Sequence, residues 1–255
     1  MSNLYGERYV PGQKDDPFFL EHIQRYQFSK PFIKNKKVLD LGCGTGYGSF
    51  ELINLGAKQV YAVDIDKQAI SFAKRHFQAK NLFFQQASAT SLLFPDQSFE
   101  IVVSFEVIEH IKDYQSYLKE VFRVLKSQGI FIFSTPNKEQ YRKGTSAYHF
   151  KEFSAQELKK LLPKAGFKVR LFGQFFGNKE FRQAQSTYFK RYQILTLGGK
   201  KTLKKMLNLF SPQFKASIYK AFFKVAPAIS PDQIYIKKGG LDQALTLIGV
   251  CQKIN

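Results

Sequence analysis

Residues 38–48 read VLDLGCGTGYG, and the segment YAVDID at residues 61–66 follows about twenty residues beyond the first glycines. An apolar run of Val38, Leu39 and Leu41 that feeds Gly42, Gly44, Gly46 and Gly48 predicts a buried strand turning tightly into a helix. Glycine accepts positive φ and lets a ligand touch bare backbone. Asp64 ends a second apolar run, residues 60–63, where a carboxylate can accept hydrogen bonds from a ribose diol. Alone, a glycine-rich turn is only a tight strand-to-helix connection; with Asp64 behind it, the pair implies a nucleoside site.

Asp40, two residues ahead of Gly42, narrows the nucleoside. A carboxylate at the mouth of that turn repels a pyrophosphate, which argues against nicotinamide and flavin dinucleotides. The glycines also run G-x-G-x-G and lack the third spacing of the dinucleotide fingerprint. A negative charge there suits a cation. S-adenosylmethionine carries a ribose, an ammonium group and a sulfonium but no phosphate, and it is the expected cofactor.

Outward from this pair the pattern alternates. Strands are expected at 37–41, 59–64, 81–86, 99–104 and 128–134, with helices at 46–55, 66–78 and 113–126. Such alternation predicts an α/β, doubly wound parallel sheet with helices on both faces and ligands beyond the carboxyl ends of its strands. Upstream, Asp15 and Asp16 before Pro17 mark a helix start, and Phe19, Ile23 and Tyr26 recur at helical spacing. Residues 1–35 therefore read as a lid and helix lying across the cofactor mouth. Downstream, Ser154 and Glu157 form a capping box for a helix at 155–165, ended by Gly166 before a strand at 167–173. Residues 1–255 read as one domain, with 178–238 an insertion because the last apolar run is needed to finish the sheet.

In order and spacing, VLDLGCGTGYG, VDID, LLFPDQSFEIVVSFEVIEHI and VLKSQGIFIFSTPN resemble the successive motifs of class I S-adenosylmethionine-dependent methyltransferases, over residues 36–174 and the last strand. The opening GERYVPG and the later YHFKEFSAQEL are similar to segments of small-molecule O-methyltransferases, many associated with sugar and glycan modification. The resemblance implies a Rossmann-like, seven-stranded, mostly parallel sheet. Its last strand, in ALTLIGVCQK, would run antiparallel after a helical insertion. It further implies that Asp40, Gly42 and Gly44 hold the methionine end of the cofactor and Asp64 its ribose. Ile65 would pack on the adenine with Ser88 and Ala89 at its edge, and Phe105 and Glu106 would lie near the sulfonium. The family often carries an acidic residue at the adenine edge, where this chain has Ser88.

Methyl transfer from a sulfonium is an in-line displacement with an excellent leaving group. An enzyme supplies alignment and, for a hydroxyl or ammonium acceptor, a base. His110, closing SFEVIEHI, and His149, in the loop after the fifth strand, are the candidate bases, although a lone histidine also serves as a structural hydrogen-bonding group. Glu106 and Glu109 are alternatives, or partners that orient an imidazole. His22 and His76 read as ordinary helix residues, and Tyr5, Arg8 and Tyr9 as a lid or a disordered terminus. SFEV stands where amino-group nucleic-acid methyltransferases have Asn or Asp, Pro-Pro and an aromatic. Neither Cys43 nor Cys251 is placed as a pyrimidine-carbon nucleophile, and no run of carboxylates is spaced for a magnesium site. The expectation is metal-independent O-methylation of a small molecule such as a sugar or glycan precursor.

Lys and Arg number 39 against 20 Asp and Glu, a net charge of +19. The excess is uneven. No acidic residue falls between Glu180 and Asp232, where Lys200, Lys201, Lys204 and Lys205 and six further basic residues do. Leu203, Met206, Leu207 and Phe210 share one face of that stretch. Three readings follow: solvated amphipathic helices, a helix lying on anionic lipid that brings the site to a quinone or lipid precursor, or an RNA-binding surface that would make the chain an RNA methyltransferase. The third ranks lowest, because no RNA-binding module accompanies the charge. Two distant cysteines, no leader core and no apolar run of membrane-spanning length give the expectation of a cytoplasmic protein, peripheral at a membrane if the lipid reading holds.

Overall fold

The computed structural model describes residues 17–140, 148–176 and 234–254. Tyr5, Arg8, Tyr9 and the basic stretch up to residue 233 lie outside those residues. In chain order the elements are α1 (Pro17–Phe28), α2 (Lys30–Ile33), β1 (Lys37–Leu41), α3 (Tyr47–Asn54), β2 (Gln59–Asp64), α4 (Lys67–His76), β3 (Leu82–Gln86), β4 (Phe99–Phe105), α5 (Tyr114–Val124), β5 (Leu125–Pro136), α6 (Ala155–Lys164), β6 (Phe167–Phe176), β7 (Ile234–Lys237) and β8 (Thr246–Lys253).

The strands alternate side chains between two cores, which is why they read as continuous apolar runs. On one face Leu39, Val102, Phe131 and Phe133 meet Leu118 and Val121 of α5 and Leu158 and Leu162 of α6. On the other, Val38, Val60, Val103 and Ile248 meet Ile33, Leu52 of α3, and Ile70 and Ala73 of α4. The sheet order is β3-β2-β1-β4-β5-β8-β6-β7. Pairing is parallel from β3 through β5, while β8 is antiparallel to both β5 and β6. Chain direction reverses its progress across the sheet between β1 and β4, and ligands of such sheets bind at that switch point.

Among the described residues the sheet has eight strands where seven were expected. The extra one is β7, which the sequence reading placed inside a helical insertion. IYIK is β-branched and alternating, with Ile234 buried and Tyr235 exposed, so it suits a short edge strand. By contact the chain divides into two compact units, Met1–Tyr141 with Tyr148–Phe175 and Ile236–Asn255, and Arg142–Ala147 with Phe176–Tyr235; the second lies almost wholly outside the described residues. Among the described residues no helix is long and apolar enough to cross a membrane.

The capping box forms as the sequence indicates. Ser154 N donates to Glu157 Oε2 at 2.8 Å, and Glu157 N donates to Ser154 Oγ at 3.2 Å. Ser154→Ala is expected to lower stability by about 1 kcal/mol. Urea denaturation should show an earlier midpoint at unchanged slope.

Candidate functional site

The glycine turn is pinned to the end of β2. Gly42 N and Cys43 N both donate to Val63 O, at 2.8 and 2.9 Å. The carboxylate of Asp64 then accepts from Gly44 N at 2.8 Å and from Asp66 N at 2.9 Å, so one side chain ties the loop after β1 to the loop after β2. Gly44 has φ +53, and a Cβ built there would meet nothing within 4 Å. Bare backbone thus borders open space at the carboxyl ends of the strands. The loop after β3 joins the same surface: Ala87 N donates to Asp64 O at 3.1 Å and Gln86 Nε2 to Ile65 O at 3.0 Å. This brings Ile65, 67% exposed, beside the half-buried Ser88 and Ala89. An exposed isoleucine next to a carboxylate can stack a flat apolar ring while the carboxylate accepts from hydroxyls.

Asp40 sits beneath the turn with no exposed surface. Its carboxylate accepts from Ser49 Oγ at 2.6 Å and, more weakly, from the Tyr26 hydroxyl at 3.5 Å. Burial pushes its pKa from an ordinary 3.8 up to about 7; Ser49 and Tyr26 pull it back, and the nearby Asp64 charge adds to the rise. Tyr26 comes from α1, and its ring lies edge-on to Phe105 with centroids 4.9 Å apart. The same ring explains Gly48, where a Cβ would fall 1.9 Å from Tyr26 Cζ. The first residues of α1 pack toward the site as well, Phe19 standing 5.6 Å from the Tyr47 ring.

Beyond β4 the chain enters FEVIEHI. Val107 closes against the turn, since a Cβ on Gly42 would lie 2.4 Å from Val107 Cγ2. Glu106 takes φ +56, a conformation that costs a side-chain-bearing residue about 1 kcal/mol or more. It is held there by Ser134, whose Oγ donates to Glu106 Oε1 at 2.7 Å, and by Arg25, whose Nη1 lies 3.4 Å from the same oxygen. Glu109 is fully buried; Thr135 Oγ1 donates to its Oε2 at 3.0 Å. Burial, then the Glu106 charge, raise the Glu109 pKa well above the usual carboxylate range. Its backbone carbonyl accepts from Phe150 N at 2.8 Å, which anchors the loop after β5 to this turn. The two candidate bases consequently meet: the His110 and His149 rings stand edge to face, centroids 4.8 Å apart.

A family model described as methyltransferase domain matches residues 33–210, well over half of the chain. The chain belongs to that family. A probable S-adenosylmethionine-dependent methyltransferase of Mycobacterium tuberculosis is 37% identical over 180 residues, covering 68% of this chain and 65% of that protein. The chain therefore spans somewhat under two thirds of that relative. A ubiquinone biosynthesis O-methyltransferase of Coxiella burnetii is 31% identical over 186 residues, 71% of this chain and 76% of that one. Among solved structures, the YcgJ protein of Bacillus subtilis superposes with a TM-score of 0.61 at 19% identity, covering 91% of this chain and 99% of that one, a likeness of fold. S-adenosylmethionine is the cofactor of the methyltransferase family, and the open backbone at Gly44 beside Asp64 fits it.

The methyltransferase domain also has a buried polar cluster that no sequence pattern flagged. Arg25 is 1% exposed; its Nε donates to Gln174 Oε1 at 2.8 Å and its Nη2 to Glu21 Oε2 at 3.2 Å and Thr246 Oγ1 at 3.3 Å. Read along α1, Glu21 and Arg25 are an i,i+4 pair of the sort that normally decorates a solvated face. A hollow lined by Lys74, Phe77, Ala79 and Phe83 lies at the opposite ends of the strands and takes no part in this site.

The Asp40 shift has a sign that can be checked. With a native pKa near 7 and an unfolded value near 3.8, the folded protein holds a proton that the unfolded chain has released across that window. This contribution to stability is therefore present below the unfolded value and is lost as pH rises toward 7, by at most about 1.4 kcal/mol per pH unit. The stability difference between wild type and Asp40→Asn, followed by urea denaturation from pH 4 to 8, should slope through the window and flatten above it. A difference independent of pH would refute the burial account.

Proposed function

We propose that this chain transfers the methyl group of S-adenosylmethionine to a hydroxyl oxygen of a small-molecule acceptor. Bound at the turn, the cofactor supplies an electrophilic methyl on a positively charged sulfur. Gly42 and Gly44 would present bare backbone to its methionine end, Asp64 would take the ribose hydroxyls, and Ile65, Ser88 and Ala89 would border the adenine. Asp40, beneath the turn, and Phe105 and Glu106, beyond β4, would complete the donor side.

The observation that carries the hydroxyl reading is the pair of imidazoles. His110 Nδ1 lies 3.1 Å from Tyr148 O, and His149 Nδ1 lies 3.3 Å from Glu152 Oε1. A carbonyl and a carboxylate only accept, so each neutral ring carries its proton on Nδ1 and keeps a lone pair on Nε2. Two basic nitrogens, one on the segment after β4 and one on the loop after β5 that is anchored to it, are a place for an acceptor proton to be lost. The likeness of GERYVPG and YHFKEFSAQEL to sugar-modifying O-methyltransferases supports a sugar or glycan precursor. A second reading, a phenolic hydroxyl on a membrane-borne quinone precursor, draws on the ubiquinone-pathway relative and on the basic stretch at 178–238. Methylation of RNA through that stretch has only its charge in support.

Labelled S-adenosylmethionine incubated with the protein and a cell extract should place label in small molecules or lipid; label in RNA alone would overturn the reading. Asp64→Ala should weaken cofactor binding at least tenfold by calorimetry. His110→Ala should leave that affinity within about twofold and slow turnover by about 10²-fold or more.

A further inference from the structure

The cluster that joins β4 to the loop after β5 has the makings of a cation site, although the sequence reading left the chain without one. Glu109, His110 and His149 each offer a ligand atom, and these atoms all lie within 4.8 Å of one another. Two further observations point the same way. Each group is oriented from behind by an outer partner: Thr135 Oγ1 on Glu109, Tyr148 O on His110 and Glu152 Oε1 on His149. Metal-binding imidazoles show this arrangement, in which the engaged Nδ1–H fixes the tautomer and turns the Nε2 lone pair toward the ion. In addition Glu109 Oε1 is buried without a hydrogen-bond partner among the described residues. A carboxylate oxygen buried and unmatched costs stability unless a cation meets it.

We infer that Glu109, His110 and His149 form a binding site for a divalent transition cation of the zinc type, with a coordination position left for the acceptor hydroxyl. Two imidazoles and one carboxylate suit such an ion, and a three-ligand protein set leaves a fourth place open. Ligand atoms of a tetrahedral site at about 2.0–2.1 Å from the ion lie about 3.4 Å apart. The present spacing, within 4.8 Å, would have to tighten on binding. Glu106 lies three residues before Glu109 on the same turn and adds negative charge to the setting. The inference rests on the hydroxyl-methylation reading for its use. A coordinated hydroxyl gives up its proton to solvent and keeps its electron pair for the new O–CH3 bond, while the C–S bond breaks onto sulfur. With the ion bound, the imidazole lone pairs that could otherwise take the acceptor proton directly would hold the ion, and the ion would acidify the hydroxyl in their place.

The tag-free full chain, stripped with a chelator and dialysed, is titrated with zinc sulfate by calorimetry in the absence of cofactor. One ion per chain is expected, with binding weakened at least 100-fold in His149→Ala and about tenfold in Glu152→Gln, which keeps the ring but loses the carboxylate behind it. Cobalt(II) added to the wild-type chain should give visible absorption bands characteristic of nitrogen and oxygen ligation, a measurement that requires no variant to fold. Substoichiometric zinc, binding unchanged in both variants, or cobalt that stays spectroscopically aquated would each overturn the site. Methyl transfer that persists in the stripped protein would overturn its catalytic use and leave methyl transfer itself standing. Zinc binding with no methyl transferred to any fraction would reject the hydroxyl-methylation reading and not the site.

Discussion

The carboxylate of Asp64 accepts one backbone N–H from each of two loops, and the site exists because it does. Charge-assisted bonds of this kind contribute about 1.5–3 kcal/mol each when shielded from water, and Asp64 is 7% exposed. Together with Val63 O, which receives Gly42 N and Cys43 N, they make the ends of β1 and β2 a single surface. The glycines need this restraint. Positive φ at Gly42, Gly44 and Gly46 is permitted by the absence of a side chain, and permission alone leaves a loop undetermined. The hydrogen bonds choose one conformation from those the glycines allow.

Asp40 poses the opposite problem, a charge with no water. Ser49 and Tyr26 meet part of the cost and leave the carboxyl near the midpoint of its titration at neutral pH, so a cation lodged close by would draw it fully to the ionised form. Because Tyr26 belongs to α1, the helix before the sheet is coupled to that charge. Arg25, its neighbour in sequence, reaches the other way, to Gln174 and Thr246 in the sheet and to the strained Glu106. Two consecutive residues of one helix thus attend to both sides of the site.

Much of this was legible in the amino-acid order. β1 and β2 span the residues expected of them, 37–41 and 59–64, because a strand buried on both faces reads as a nearly continuous apolar run. The capping box at Ser154 was legible for a similarly local reason. Boundaries failed where tertiary packing decided them. A helix was expected to run to residue 126 and the next strand to start at 128, yet α5 stops at Val124 and β5 starts at Leu125, which is buried and paired with Phe99. In the site, the glycines, Asp40, Asp64, His110 and His149 stand out singly in the sequence. That the two imidazoles touch, that Tyr26 covers Asp40 and that Arg25 is buried are facts about segments far apart in the chain. No local pattern carries them.

The antiparallel β8 has a consequence for biogenesis. Among the described residues it comes after β1 to β7 yet occupies an interior place, with β5 on one side and β6 on the other. As the polypeptide leaves the ribosome, both of those neighbours must wait with open hydrogen-bonding edges, and exposed edges invite association with other chains. The nascent protein is consequently most vulnerable until β8 has emerged, and its sheet closes by receiving a wedge and not by growth at a rim.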